Sequence, residues 1–175
     1  MKKSWRVALG GLIVALIVII MFLSSLFPYV SIAIPAIASF FIAIAIIELG
    51  VRNSALIFLA SSILVALLIP NLEAKLLYIT FFGYYPIVKY LIEAKFKIIL
   101  QWILKIIFFN YAFATTYFVA ANFINIPSNL LKYGMIVLLI VSNIVFIIFD
   151  IGYSKVINLY FIRIKPYLPK HGNNK

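Results

Sequence analysis

Apolar residues run along this chain in long continuous stretches, and charges, prolines and turn residues divide them into six segments. These are approximately Val7–Phe27, Val30–Leu49, Asn53–Ile69, Leu76–Ile92, Ile98–Ala121 and Tyr133–Phe149. Each is close to the ~20 residues that carry a helix across hydrocarbon. Unpaired backbone groups are not tolerated there, and the runs lack the alternation of barrel strands, so each segment is expected to be an α-helix. The pattern predicts an all-α integral membrane protein, a bundle of six transmembrane helices.

The connections are short. Pro28-Tyr29, Gly50-Val51-Arg52, Pro70 to Lys75 and Glu93 to Lys97 join the first five segments, and only Asn122 to Lys132 is longer. Short turns make consecutive helices antiparallel neighbours, and no linker is long enough to separate domains, so residues 1–175 are expected to form a single membrane domain. The first segment is longer than the ~7–15 residues of a signal core, and Ser24-Ser25-Leu26-Phe27-Pro28 is a poor cleavage site, so it is expected to be retained as a helix. Residues 151–165 are apolar and aromatic but carry Lys155, Asn158, Arg163 and Lys165 before Pro166. They are expected to continue the sixth helix into the headgroup zone, with the basic side chains snorkelling, as the start of a basic tail over residues 151–175.

Composition sharpens this picture. Hydrophobic residues make up 66% of the 175 and charged residues 11%, against ~45–50% and ~25% in soluble domains. A globule of this size cannot hide so much apolar surface, which excludes an ordinary soluble fold. The net charge of +11 is read by position. With a cytoplasmic N-terminus and six crossings, the inner side carries Lys2, Lys3, Arg6, Arg52, Lys95, Lys97, Lys155, Arg163, Lys165, Lys170 and Lys175, eleven of the fifteen basic residues. Lys75 and Lys132 fall outside, and Lys89 and Lys105 fall within helices. The positive-inside rule therefore places both termini on the cytoplasmic side of the cell membrane, with an affinity for anionic lipid as a secondary consequence.

Several chemistries are disfavoured. Cysteine is absent, which removes disulfides, thiolate nucleophiles and Cys-ligated metals. The sole histidine, His171, sits in a polar tail. The four acidic residues, Glu48, Glu73, Glu93 and Asp150, are scattered, offering neither a carboxylate dyad nor a mid-membrane proton relay. Phosphate loops, paired histidines and nucleophile elbows are not found, and no water-exposed basic domain is present to bind nucleic acid. The chain is expected to be neither an enzyme nor a holder of cofactor or metal.

Candidate functional residues fall in several groups. In the first helix Ala8, Gly11 and Ala15 share one face, with Gly10 beside it, and small residues at this spacing let membrane helices approach closely, either within the bundle or against a partner. Lys89 and Lys105 lie at membrane depth, about one turn from the end of the fourth helix and two turns into the fifth; they are expected to snorkel or to pair with Glu93 or Asp150. In the fourth helix Gly83 and Pro86 are expected to produce a kink near mid-membrane that frees a carbonyl near residue 82, and Pro35 to do the same in the second. Uncharged polar groups collect on the outer halves of the last three helices: Tyr78, Thr80, Asn110, Thr115, Thr116, Tyr117, Ser142 and Asn143. Each is either interhelical glue or the lining of a solute cavity.

Six helices in a chain this short, cytoplasmic termini and the small-residue face Ala8, Gly11 and Ala15 together resemble the substrate-binding S component of energy-coupling factor transporters. The resemblance covers the whole chain in architecture and these three residues at motif level, with Gly11-x-x-x-Ala15 closest to the family's alanine-x-x-x-alanine contact. It implies that Ala8, Gly11 and Ala15 dock a transmembrane coupling subunit driven by a pair of cytoplasmic ATPases. It also implies that Tyr78, Tyr84, Asn110, Thr115 and Asn143 bind a small neutral, vitamin-like solute from the outer side. The competing reading is a non-transporting scaffold, similar to small inner-membrane subunits of bacterial envelope complexes, in which the same face assembles partners and the polar groups hold the bundle together.

Overall fold

The computed structural model describes residues 3–121 and 131–167, and every regular element among them is helical. The first helix, α1 (Lys3–Leu26), has 24 residues, or about 36 Å at 1.5 Å per residue, more than the ~30 Å of a hydrocarbon core. A 3₁₀ turn at Pro28–Val30 leads to α2 (Ala33–Leu49), which is followed by α3 (Val51–Leu68). Next come α4 (Leu72–Leu77), a π-helical turn at Tyr78–Phe82, α5 (Tyr85–Lys95) and α6 (Ile98–Ala121). After these, α7 (Leu131–Leu159) runs into a second π turn, Tyr160–Ile164, and a 3₁₀ turn, Lys165–Tyr167. Four segments are long and apolar enough to cross a membrane: Ser4–Leu26, Val51–Leu68, Ile98–Val119 and Ile136–Arg163; Ala33–Leu49 is a shorter apolar helix. The chain forms two compact units, residues 7–125 and residues 126–175 with 1–6.

Within residues 7–125, α2 is the hub. It packs against α3, α4, the π turn at 78–82 and α5. Small residues make this possible, since Ala38, Ser39 and Ala45 are completely buried on it and let neighbouring backbones come close. Gly50 alone separates α2 from α3. Its φ of +84° lies where a Cβ is strained, which lets one residue reverse the chain. Its amide caps α2 by donating to Ile46 O at 3.1 Å, and its carbonyl accepts from Ser54 N at 3.1 Å and Ser54 Oγ at 2.9 Å. Across the other end, Asn71 caps α4 by accepting from Ala74 N at 3.1 Å. The same side chain donates to Ser24 O of α1 at 2.8 Å and to Ser31 Oγ at 3.0 Å, tying three segments together.

Two proline expectations need correction. Pro35 does not kink α2, because the helix begins at Ala33 and the proline sits in the first turn, where its missing N–H costs no bond. The fourth segment is broken, not bent. The chain widens into the π turn, where Gly83 N bonds to Tyr78 O at 2.8 Å, and then restarts as α5 with Pro86 in its first turn. Gly83 is required there by space: a Cβ would lie 2.6 Å from Phe58 Cε2 and 2.8 Å from the Tyr78 carbonyl oxygen.

In the unit containing α7, the helix runs ten residues past the apolar run's end at Phe149, continuing into residues 151–159 as expected. Asp150 and Ser154 do not end it, the serine hydroxyl donating to Asp150 O at 3.0 Å. Among the α7 residues whose burial is described, Phe146, Asp150 and Tyr153 are buried, a stripe at spacings of four and three, while most others are exposed. The longer connection expected before this helix falls mainly on residues 122–130, and His171 on 168–175, all outside the described residues.

Candidate functional site

Charged side chains converge where α5 meets α6. Lys89 and Glu93 stand one turn apart on α5, and Lys89 Nζ donates to Glu93 Oε1 at 2.7 Å. Lys105, from the second turn of α6, donates to the same oxygen at 2.6 Å. The turn between the helices is held by Gln101, whose amide donates to Phe96 O at 2.8 Å and Glu93 O at 3.3 Å. Lys105 also lies over the Trp102 ring, its nitrogen 5.3 Å from the centroid. Both ammonium groups are buried, so the shared carboxylate offsets a desolvation cost that either lysine alone would carry. The lysines therefore pair, as expected, and Glu93 is the carboxylate that serves both.

A second constellation surrounds the break after Phe82. Tyr78 Oη and Ser61 Oγ are 2.8 Å apart, and Thr80 Oγ1 and Thr116 Oγ1 are 2.6 Å apart, linking the π turn to α3 and α6 respectively. Thr80 and Thr116 also lie within reach of Leu76 O and Ala112 O, and since each hydroxyl has one proton, one threonine donates to the other and leaves its carbonyl. Tyr84 turns back, its hydroxyl donating to Thr80 O. Aromatic rings fill the surroundings. Phe58 touches Tyr84 edge-on at 5.6 Å and Tyr78 at 6.4 Å; Phe108 meets Tyr84 at 5.5 Å, and Phe81 meets Phe109 at 5.4 Å.

The residues expected to line a solute cavity are distributed unevenly over this geometry. Tyr78 and Tyr84 come together against Phe58. Asn110 and Thr115 both lie on α6, five residues apart and so about 140° around the helix. Their side chains donate to Ile106 O and Ala112 O, each at 2.8 Å. Asn143 belongs to the α7 unit and donates to Leu139 O at 2.8 Å. Ser61, on α3, enters the constellation although its segment carried no expected site residue. A serine mid-helix gives no signal of its own until the facing tyrosine is known.

The small-residue face of α1 is directed outward. Ile13, Ile17, Met21 and Ser24 are buried on one side, and Gly10 packs beside them, its Cβ position 3.6 Å from Ile57 of α3. Ala8, Gly11 and Ala15 lie on the opposite side and are exposed, with no atom within 4 Å of where a Gly11 Cβ would be.

Among the described residues no group of histidines and carboxylates is arranged to hold a metal ion. Comparison with protein-family models, with curated proteins and with solved structures finds no match to this chain.

Proposed function

We propose that this chain is a multi-pass membrane protein that works as a non-enzymatic assembly subunit of a membrane complex. One observation carries the bilayer reading: large apolar side chains are exposed in number as well as buried in the core, while several polar and charged ones are buried. Ser24, Ser39, Ser54, Ser61, Lys89, Lys105 and Asp150 are buried, while Leu67, Ile99, Phe118 and Ile148 are each more than 60% exposed. Water would penalise both halves of that pattern, and hydrocarbon favours both. The bulk of the basic charge then sets the termini on the cytoplasmic side of the cell membrane.

The assembly role is supported by how the polar groups are used. Tyr78 bonds to Ser61 of α3, Thr80 to Thr116 of α6 and Tyr84 to the Thr80 carbonyl, and Asn110, Thr115 and Asn143 each donate to a carbonyl one turn back on their own helix. The contacts of Tyr78 with Ser61 and of Thr80 with Thr116 are those of interhelical glue, and the back-bonds of Asn110, Thr115 and Asn143 satisfy these groups within their own helices. The outward Ala8, Gly11 and Ala15 face is the candidate contact for a partner helix. A solute-binding subunit of a transporter, energised by partner ATPases through that same face, is the second reading; the helix break at Gly83, walled by aromatic rings, favours it.

A mild-detergent pull-down analysed for proteins and small molecules distinguishes the two readings. Partner membrane subunits without a metabolite support assembly; ATPases together with a bound metabolite support solute capture and overturn it.

A further inference from the structure

The charged cluster at α5 and α6 is built asymmetrically. The side chains of Lys89 and Lys105 are 3% and 4% exposed, and that of Glu93 is 39% exposed. The cations are buried in the helix packing, whereas the carboxylate that pairs with both stands at the surface. Both ammonium groups point at one oxygen, so the space between them is a seat for a single oxyanion. We propose that this seat receives the phosphate of an anionic lipid headgroup, and that Glu93 is a resident occupant which the lipid displaces.

The proposal rests on the bilayer reading above. Charge complementarity carries it further: Lys95 and Lys97 follow Glu93 closely and are exposed, so the approach to the seat is basic. Tyr90 and Leu91 before the turn and Ile98 and Ile99 after it are exposed apolar side chains, a surface for acyl chains beside a headgroup site.

The test uses the full-length chain and its Glu93→Gln variant in phosphatidylcholine nanodiscs, with and without phosphatidylglycerol, read by thermal unfolding midpoint. In phosphatidylcholine alone Glu93→Gln melts below wild type, because two buried ammonium groups lose a counter-charge. Phosphatidylglycerol brings the variant back toward the wild-type midpoint and moves wild type much less. Adding Lys105→Gln to Glu93→Gln removes that response; where the double variant does not fold, the wild-type and Glu93→Gln pair decides. A Glu93→Gln midpoint indifferent to phosphatidylglycerol overturns the proposal, as does an equal response in the double variant. Inorganic phosphate added to phosphatidylcholine discs is expected to restore nothing, and a restoration as large as the lipid's overturns the lipid assignment. Failure of the wild-type chain to enter discs at all refutes the bilayer reading itself, and is thereby told apart from failure of the lipid site.

Discussion

The hydroxyls of Tyr78 and Ser61 meet 2.8 Å apart in a contact where both residues are completely buried. Ser61 already gives its proton to Phe58 O at 3.0 Å, so Tyr78 is the donor of the pair. The two truncations are therefore unequal. Ser61→Ala strands a buried phenol and is expected to cost ~1–3 kcal/mol, whereas Tyr78→Phe leaves Ser61 bonded and is expected to cost ~1 kcal/mol or less. Unfolding of both variants in the same detergent checks the order; a larger loss for Tyr78→Phe contradicts the assignment.

Gly83 is expected to tolerate no side chain. A methyl group at this position meets the Phe58 ring at 2.6 Å and the Tyr78 carbonyl at 2.8 Å. Overpacking of this kind costs ~1–3 kcal/mol. Because one of the two obstacles is backbone, Gly83→Ala combined with Phe58→Leu is expected to recover only a fraction of the loss, and full recovery in the melting midpoint would show that the ring alone excludes the side chain.

Asn71 joins a helix cap to two tertiary contacts in one side chain. Loss of the cap alone costs ~1 kcal/mol. Asn71→Asp keeps the cap acceptor and loses both donations, so it is expected to fall between wild type and Asn71→Ala in stability. Equal stability of Asn71→Asp and wild type would mean that the bonds to Ser24 and Ser31 contribute nothing.

On α1, Gly11→Leu is expected to leave the isolated chain as stable as wild type, because no atom lies within 4 Å of the new Cβ. Association is another matter. If the face binds a partner helix, the leucine side chain holds the two backbones apart, and co-purification with membrane partners is lost while insertion is kept. Unchanged co-purification removes this face from the account.

Hydropathy makes the six apolar segments legible because lipid-facing and buried positions are both apolar, so length alone marks them. The same property hides the ends. The apolar run closes at Phe149, and the continuation of the sixth helix through Asp150 and Ser154 is legible only from the apolar and aromatic residues beyond them; α7 runs on to Leu159. The effect of Pro35 depends on where its helix begins: the connection at Pro28-Tyr29 is legible, but the helix starts at Ala33 and not at Val30, a shift within an apolar run that hydropathy does not mark. In the candidate site, Tyr78 and Tyr84 stand out in the sequence as polar aromatics at membrane depth. Their partners Ser61 and Phe58 do not, because a pairing between α3 and the π turn is fixed by packing and leaves no local pattern. The Lys89, Glu93 and Lys105 cluster is half visible: the i, i+4 spacing announces one pair, while the reach of Lys105 from α6 depends on the turn that Gln101 closes.

The central claim is that the chain crosses the bilayer repeatedly with its basic connections on the cytoplasmic side. Natural absence of cysteine allows a direct measurement, the labelling of single-cysteine variants in intact cells by an impermeant maleimide. Glu73 at the start of α4 and Lys97 before α6 are both exposed. Glu73→Cys is expected to label from outside, and Lys97→Cys only after the membrane is permeabilised. Labelling of Lys97→Cys in intact cells, or protection of Glu73→Cys there, would contradict the account.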